Sequence, residues 1–217
     1  MTVIPLAGAV DGMNEDGLVV TYNYGYGQDK PRYMAPVTSL VQTVLFKAST
    51  VDEALKIIRD SKRGGSAILM VADRDRAVSI ELLPNHIGVR EAENGRIAHT
   101  NHYHTEHMRK IDISHNAYYK HSRKVVRALR GRRVRELSEA RYSRIMQLLA
   151  QGGELELSDL ISIARDHAGG EGADNTVCRH SEYFNTTWSI IFIPSEKVIK
   201  ALVGYPCQQE YEEYRVG

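Results

Sequence analysis

Three short β-type runs separated by turn-forming residues constrain this chain more than any other feature. Ala67–Ala72, residues 77–83 and Ile87–Glu91 are rich in apolar and β-branched residues, and residues 73–76 (Asp-Arg-Asp-Arg) supply a polar turn. A fourth run, residues 96–100, follows Asn94 and Gly95, a dipeptide that accepts the positive φ of tight hairpin turns. Four such runs in succession predict an antiparallel meander. Upstream, residues 18–24 are apolar and β-branched between Gly17 and Gly25 and read as another strand. Thr50 and Glu53 have the spacing of a capping box, in which hydroxyl and carboxylate each satisfy a backbone N–H. Val51, Ala54, Leu55, Ile57 and Ile58 then give a helix with one apolar face, stopped by Gly64 and Gly65.

Downstream the pattern turns helical. Residues 109–151 read as largely helix with a break at Gly131, stopped by Gly152 and Gly153. Residues 157–167 read as a shorter helix ended by Gly169 and Gly170. Residues 169–185 form a polar loop. Residues 187–193 are nearly continuous apolar residues, which predicts a strand buried on both faces, and Val198–Val203 is its hairpin partner. Residues 208–215 form a polar, Tyr-rich tail. This order predicts an α+β fold, with helices layered on antiparallel strands, in a single domain over residues 1–217. The chain has 28 Lys+Arg against 27 Asp+Glu, and 42% of its residues are hydrophobic, which argues against disorder. No apolar run approaches the roughly 18 residues of a membrane helix. Residues 1–10 lack the basic start of a signal peptide, and two cysteines at unrelated spacing point to a reducing compartment. A cytoplasmic protein without membrane contact is therefore expected.

Charge is balanced overall but not locally. Residues 109–144 hold twelve Lys+Arg and three Asp+Glu, a local net of +9. One reading is a surface for anions or nucleic acid. The other is the solvated face of an amphipathic helix, with Val125, Val126, Leu129, Val134 and Leu137 inward. No Tyr, Phe or Trp interleaves the cations of residues 120–135 to stack on bases, so nucleic acid is not an expected partner.

The chemically densest segment is residues 98–107, with His99, His102, His104 and His107. Their spacing admits zinc ligation, but a strand end running into a loop does not present four imidazoles to one ion, so locally hydrogen-bonded histidines are expected. No metal and no cofactor are expected. Asn101 sits at the strand's end, where an amide can donate to a developing oxyanion. Asn14 reads as a turn former, and Gly12 and Gly17 as positive-φ positions. Gly25 and Gly27 lack the third glycine and following helix of a nucleotide loop. Cys178 is either activated by Arg179 and His180 or simply packed, and packing is the expectation.

Four blocks occur in order: Gly12-Met13-Asn14-Glu15-Asp16-Gly17-Leu18 with Asn23; Ala98-His99-Thr100-Asn101-His102-Tyr103; Val177-Cys178-Arg179-His180; and Pro206-Cys207-Gln208-Gln209-Glu210-Tyr211 with Tyr214 and Arg215. Together they resemble the acyl-coenzyme A:6-aminopenicillanic acid acyltransferase-like family of cysteine peptidase relatives. These are N-terminal nucleophile (Ntn) hydrolases, cousins of bile-salt hydrolases and penicillin V acylases. The resemblance implies an αββα sandwich and a cysteine, freed by self-cleavage, that attacks an amide or acyl thioester. It implies oxyanion-hole roles for Asn23 and Asn101. Ser138-x-x-Arg141 is similar to a serine–arginine element of related hydrolases. Arg141 is thereby implied to position nucleophile or substrate, with Arg144 as a rival. In the family the nucleophile lies well upstream of the Gly-Met-Asn-Glu block, whereas here eleven residues precede Gly12 and none is cysteine. The expectation is an N-terminally truncated sandwich: a fragment or shortened gene model, one part of a split enzyme, or a non-catalytic homologue that binds an acyl-amide ligand or partner protein. Whether the chain is an enzyme by itself stays open. A separate N-terminal segment or self-association is the expected partner. Thr2 as an alternative nucleophile matches no family position.

Overall fold

The computed structural model describes residues 7–151 and 153–217, so Thr2 and Gly152 lie outside the described residues. The described chain forms β1 (Gly12–Met13), β2 (Val19–Asn23), α1 (Val37–Lys47), α2 (Val51–Asp60), β3 (Ala67–Ala72), β4 (Ala77–Leu82), β5 (Ile87–Glu91), α3 (Glu106–Ile111), α4 (Glu136–Leu149), α5 (Leu157–Ala164), β6 (Trp188–Ile193), β7 (Val198–Val203) and β8 (Glu212–Arg215). This is the mixed α+β arrangement the sequence predicts. Two compact units result: residues 7–113 with 192–199 and 214–217, and residues 114–191 with 200–213.

The first unit is built on an antiparallel sheet of order β1-β2-β3-β4-β5. Its register places Val20 opposite Val71, Val71 opposite Val78 and Leu69 opposite Ile80. Side chains alternate across a pleated strand, so these residues share one face. That face meets Val37, Leu40, Val41 and Val44 of α1 and Val51, Ala54, Leu55 and Ile58 of α2 in one buried apolar cluster. The Thr50 hydroxyl caps α2 by accepting from Glu53 N, while the Glu53 carboxylate reaches back to Ser49 N, one residue before the expected partner. Helix α1 carries five β-branched residues, which oppose helix formation. Its apolar residues nevertheless recur at helical spacing, and burial on the sheet outweighs propensity. Gly17 has φ 84°, as expected, whereas Gly12 lies in β1, where a Cβ would come 2.8 Å from a Leu45 methyl.

Asn14 does more than form a turn. Its Oδ1 accepts from Asp16 N and Leu18 N, and its Nδ2 donates to Leu45 O at 3.0 Å and Ala48 O at 2.7 Å, capping the C-terminal end of α1. Asn14→Ala is expected to cost about 2–3 kcal/mol, because a part-buried hydrogen bond contributes about 1 kcal/mol and its loss strands partners. Asn14→Asp should rescue little, since a carboxylate cannot donate and its charge faces helix carbonyls. Urea unfolding of both variants measures this.

Several other expectations fail. Residues 112–135 are not helical beyond the 3-10 turn Arg127–Leu129. They form a loop closed by cross-chain bonds: Tyr119 N to Arg132 O, Gly131 N to Tyr119 O and Val134 N to Ala117 O. Gly131 has φ 73°, and a Cβ there would sit 2.3 Å from the His121 ring, so the chain turns where a helix would continue. Nor is the basic stretch a uniformly solvated face. Arg132 pairs with Glu136 and Asp174, Arg133 with Glu139, and Arg135 with Glu139. Strand β6 is not buried on both faces: of its six residues only Ile191 is buried, and the order β6-β7-β8 leaves it at a sheet edge. The Tyr-rich tail contains β8, exposed at every position and so without readable alternation. Residues 96–100 form no strand beyond the Glu93–Arg96 bridge, although Asn94 and Gly95 both take the expected positive φ. No helix among the described residues is long and apolar enough to cross a membrane.

Candidate functional site

The second face of the first unit's sheet mixes apolar residues such as Ile68 and Met70 with polar ones opposite them. Ser79 and Glu81 alternate with Val78, Ile80 and Leu82, yet both are fully buried. Residues 98–107 cover them. The Ser79 hydroxyl lies 3.0 Å from His99 Nδ1. The Glu81 carboxylate accepts from His104 N at 2.5 Å, Thr105 N at 3.1 Å and the Thr105 hydroxyl at 2.6 Å. Arg90 donates to Ala98 O. Tyr103, 1% exposed, donates its hydroxyl to Leu82 O, and its amide donates to the buried Asp112 carboxylate. Burial, then the nearby Asp112 and Glu81 charges, pushes the Tyr103 phenol pKa well up, so it stays neutral. Gly25 and Gly27 serve this packing: a Cβ on Gly25 would come 2.7 Å from the Tyr103 hydroxyl, and one on Gly27 2.1 Å from Leu83.

The segment holds both asparagines. Asn23 Nδ2 donates to Thr100 O at 3.2 Å, and Asn101 Nδ2 donates to Tyr24 O at 2.8 Å. The two amides thus clasp the end of β2 to residues 100–101 reciprocally. Each carboxamide nitrogen carries two N–H donors. Arg141 lies on α4 in the second unit, one turn beyond the buried Ser138. Its rival Arg144 makes a bidentate pair with Asp166 at 2.6 and 2.9 Å, which lowers the Asp166 pKa.

The four histidines of 98–107 go to different partners. His102 Nδ1 lies 3.3 Å from the Thr100 hydroxyl and His107 Nε2 lies 2.8 Å from Ile87 O. Burial, and then the charge of Arg90, lowers the His99 pKa from 6.5 to about 3. The unfolded chain therefore binds the extra proton first as pH falls. Stability is fully present above about pH 6.5 and is lost toward pH 3, at a slope of at most about 1.4 kcal/mol per pH unit. His99→Gln should flatten the fall in melting temperature between pH 6 and pH 4.

A cavity of about 390 Å³ opens in the first unit, lined by Tyr22, Tyr24, Arg32, Met34, Val37 and Thr38 among others. Neither asparagine lines it, but Tyr24 does, and the Tyr24 carbonyl holds Asn101. Both thiols lie in the second unit. Cys178 is fully buried, and burial first pushes its pKa up to about 11, which makes it a poor nucleophile. The Arg179 guanidinium lies over the Phe184 ring at 4.2 Å. Cys178 Sγ is 3.4 Å from His180 Nε2, which is 3.2 Å from Cys207 Sγ.

The fold is that of the bile acid hydrolases. Two variant structures of the conjugated bile acid hydrolase from Clostridium perfringens superpose with TM-scores of 0.55 and 0.57. Each is 13% identical, and each alignment covers 100% of this chain and 80% of the other. No curated protein matches the sequence. The acyl-coenzyme A:6-aminopenicillanic acid acyltransferase family profile matches residues 2–208, and the chain belongs to that family. The family resemblance found in the four blocks is thus confirmed.

Proposed function

We propose that this chain supplies the oxyanion site of an Ntn-type amide hydrolase or acyltransferase acting on a small acyl amide or acyl thioester. The observation that carries the reading is the reciprocal Asn23–Asn101 clasp, in a chain of this family. Two primary amides fixed by main-chain carbonyls are preorganised donors, and preorganisation gives such a site its catalytic value. Arg141 positions nucleophile or substrate. The cavity beside Tyr24 has the volume of a small-molecule site and takes the acyl group. The nucleophile is a cysteine outside these 217 residues, freed by self-cleavage and carried on an upstream or separately encoded segment. Its place in the αββα sandwich is taken by neither Cys178, buried with a raised pKa, nor Cys207, which lies against His180.

By itself, the chain binds acyl amide without turning it over. The test compares hydrolysis of an N-acyl amide panel by the purified chain and by the chain plus the Cys-bearing segment. Turnover is expected only in the second case. Turnover by the chain alone, or none by the combination, overturns the reading.

A further inference from the structure

We propose that His167, Cys178, His180 and Cys207 form a zinc site: a closed tetrahedral centre of two thiolates and two imidazoles. Their donor atoms all lie within 4.8 Å of one another, and all four residues belong to the second unit. Zn–S bonds of about 2.3 Å and Zn–N bonds of about 2.0–2.1 Å place sulfur and nitrogen about 3.5 Å apart around a tetrahedral ion. The separations of 3.4 Å from Cys178 Sγ and 3.2 Å from Cys207 Sγ to His180 Nε2 are close to that edge.

The fold builds this cluster from three separate stretches. His167 follows α5. Cys178 and His180 sit in the 170–187 loop, and Cys207 in the turn after β7. Each is held by its surroundings. Cys178 N donates to Asp166 O at 3.1 Å and His180 N to Ala173 O at 3.3 Å. The His180 ring stacks on Tyr205 at 3.9 Å and meets His167 edge-on at 4.9 Å. A Cβ on Gly172 would come 2.8 Å from the His180 ring, so glycine leaves room for it. Arg165 Nε donates to Pro206 O at 2.7 Å, fixing the residue before Cys207. A second observation points to a ligand: His167 Nε2 is buried and has no hydrogen-bond partner among the described residues.

A Cys178–Cys207 disulfide would explain the two sulfurs but would leave two imidazoles converging on them without purpose. Thiolate plus imidazole in a tetrahedral set selects zinc among the available divalent ions. Four protein ligands leave no open position, so the ion is structural: it ties the end of α5 to the loop and to the β7 turn. This site is independent of the acyl-transfer reading.

The test uses the full chain expressed with added zinc. Metal analysis should find one zinc per chain retained through gel filtration, and a chelator should remove it and lower the melting temperature. Cobalt(II) added to the apoprotein should give intense tetrahedral visible bands and a thiolate-to-cobalt charge-transfer band. Cys178→Ser and Cys207→Ser should each weaken zinc binding at least tenfold, while His107→Gln leaves it unchanged. If the serine variants fail to fold, the wild-type cobalt spectrum decides. Loss of its charge-transfer band after thiol alkylation supports the site. A weak octahedral cobalt spectrum with two titratable free thiols, or a Cys178–Cys207 disulfide by intact mass in the zinc-grown protein, overturns it.

Discussion

Arg63→Ala is expected to lower folding stability by about 3–5 kcal/mol, because it strands several buried carbonyls at once. Arg63 is 5% exposed and has no ion-pair partner among the described residues. Its guanidinium is satisfied by main-chain oxygens alone. Nε donates to Leu83 O at 2.9 Å, Nη1 to Ile58 O and Ser61 O at 3.1 Å each, and Nη2 to His86 O at 3.1 Å. One planar fork thus ties the C-terminal end of α2 to the β4–β5 turn. A cation is favoured beside helix C-terminal carbonyls. Arg63→Lys should recover only part of the loss, since an ammonium has three donors and no fork. Urea unfolding reads both variants, and a cost below about 1 kcal/mol for Arg63→Ala would show that water replaces the guanidinium.

Under the proposed oxyanion role, Asn101→Ala should reduce kcat about 10²–10³-fold in the chain combined with the proposed Cys-bearing segment, the cost of removing one oxyanion donor. KM should change little, because the lost interaction strengthens only as charge develops on the substrate oxygen. Asn101→Asp should lose as much, since it keeps the shape but replaces the donor with an acceptor. The clasp also predicts a smaller stability effect through the lost bond to Tyr24 O. A raised KM with unchanged kcat would place Asn101 in ground-state binding instead.

Local chemistry explains which parts of the fold the sequence reveals. The β3–β4–β5 meander and the β6–β7 hairpin were legible because turn residues and β-branched runs lie next to each other. The α2 start was legible from Thr50 and Glu53. Helix α1 was not, because its β-branched residues speak against a helix and only the sheet beneath it decides otherwise. The basic stretch fitted an amphipathic helix, but the left-handed Gly131 and the tertiary pairs of Arg132 with Asp174 and Arg133 with Glu139 stabilise a loop. Among the candidate site residues, Asn101 stands out by its position after a β-type run and Asn23 only through the family's blocks, whereas their carbonyl bonds depend on tertiary packing. Ser79 and Glu81, polar residues alternating through an apolar strand, carried a readable sign that something polar covers that face. The His167–Cys178–His180–Cys207 cluster had no such sign, since no paired cysteines mark it and three distant stretches build it.

In the proposed role the chain provides donors for acyl chemistry while its own thiols stand aside. Intact-mass and peptide mapping after exposure to an acyl thioester tests this most directly. An acyl group on a cysteine of the proposed upstream or separate segment, and none on Cys178 or Cys207, is the expected result; acylation of either of those two thiols would contradict the proposed role.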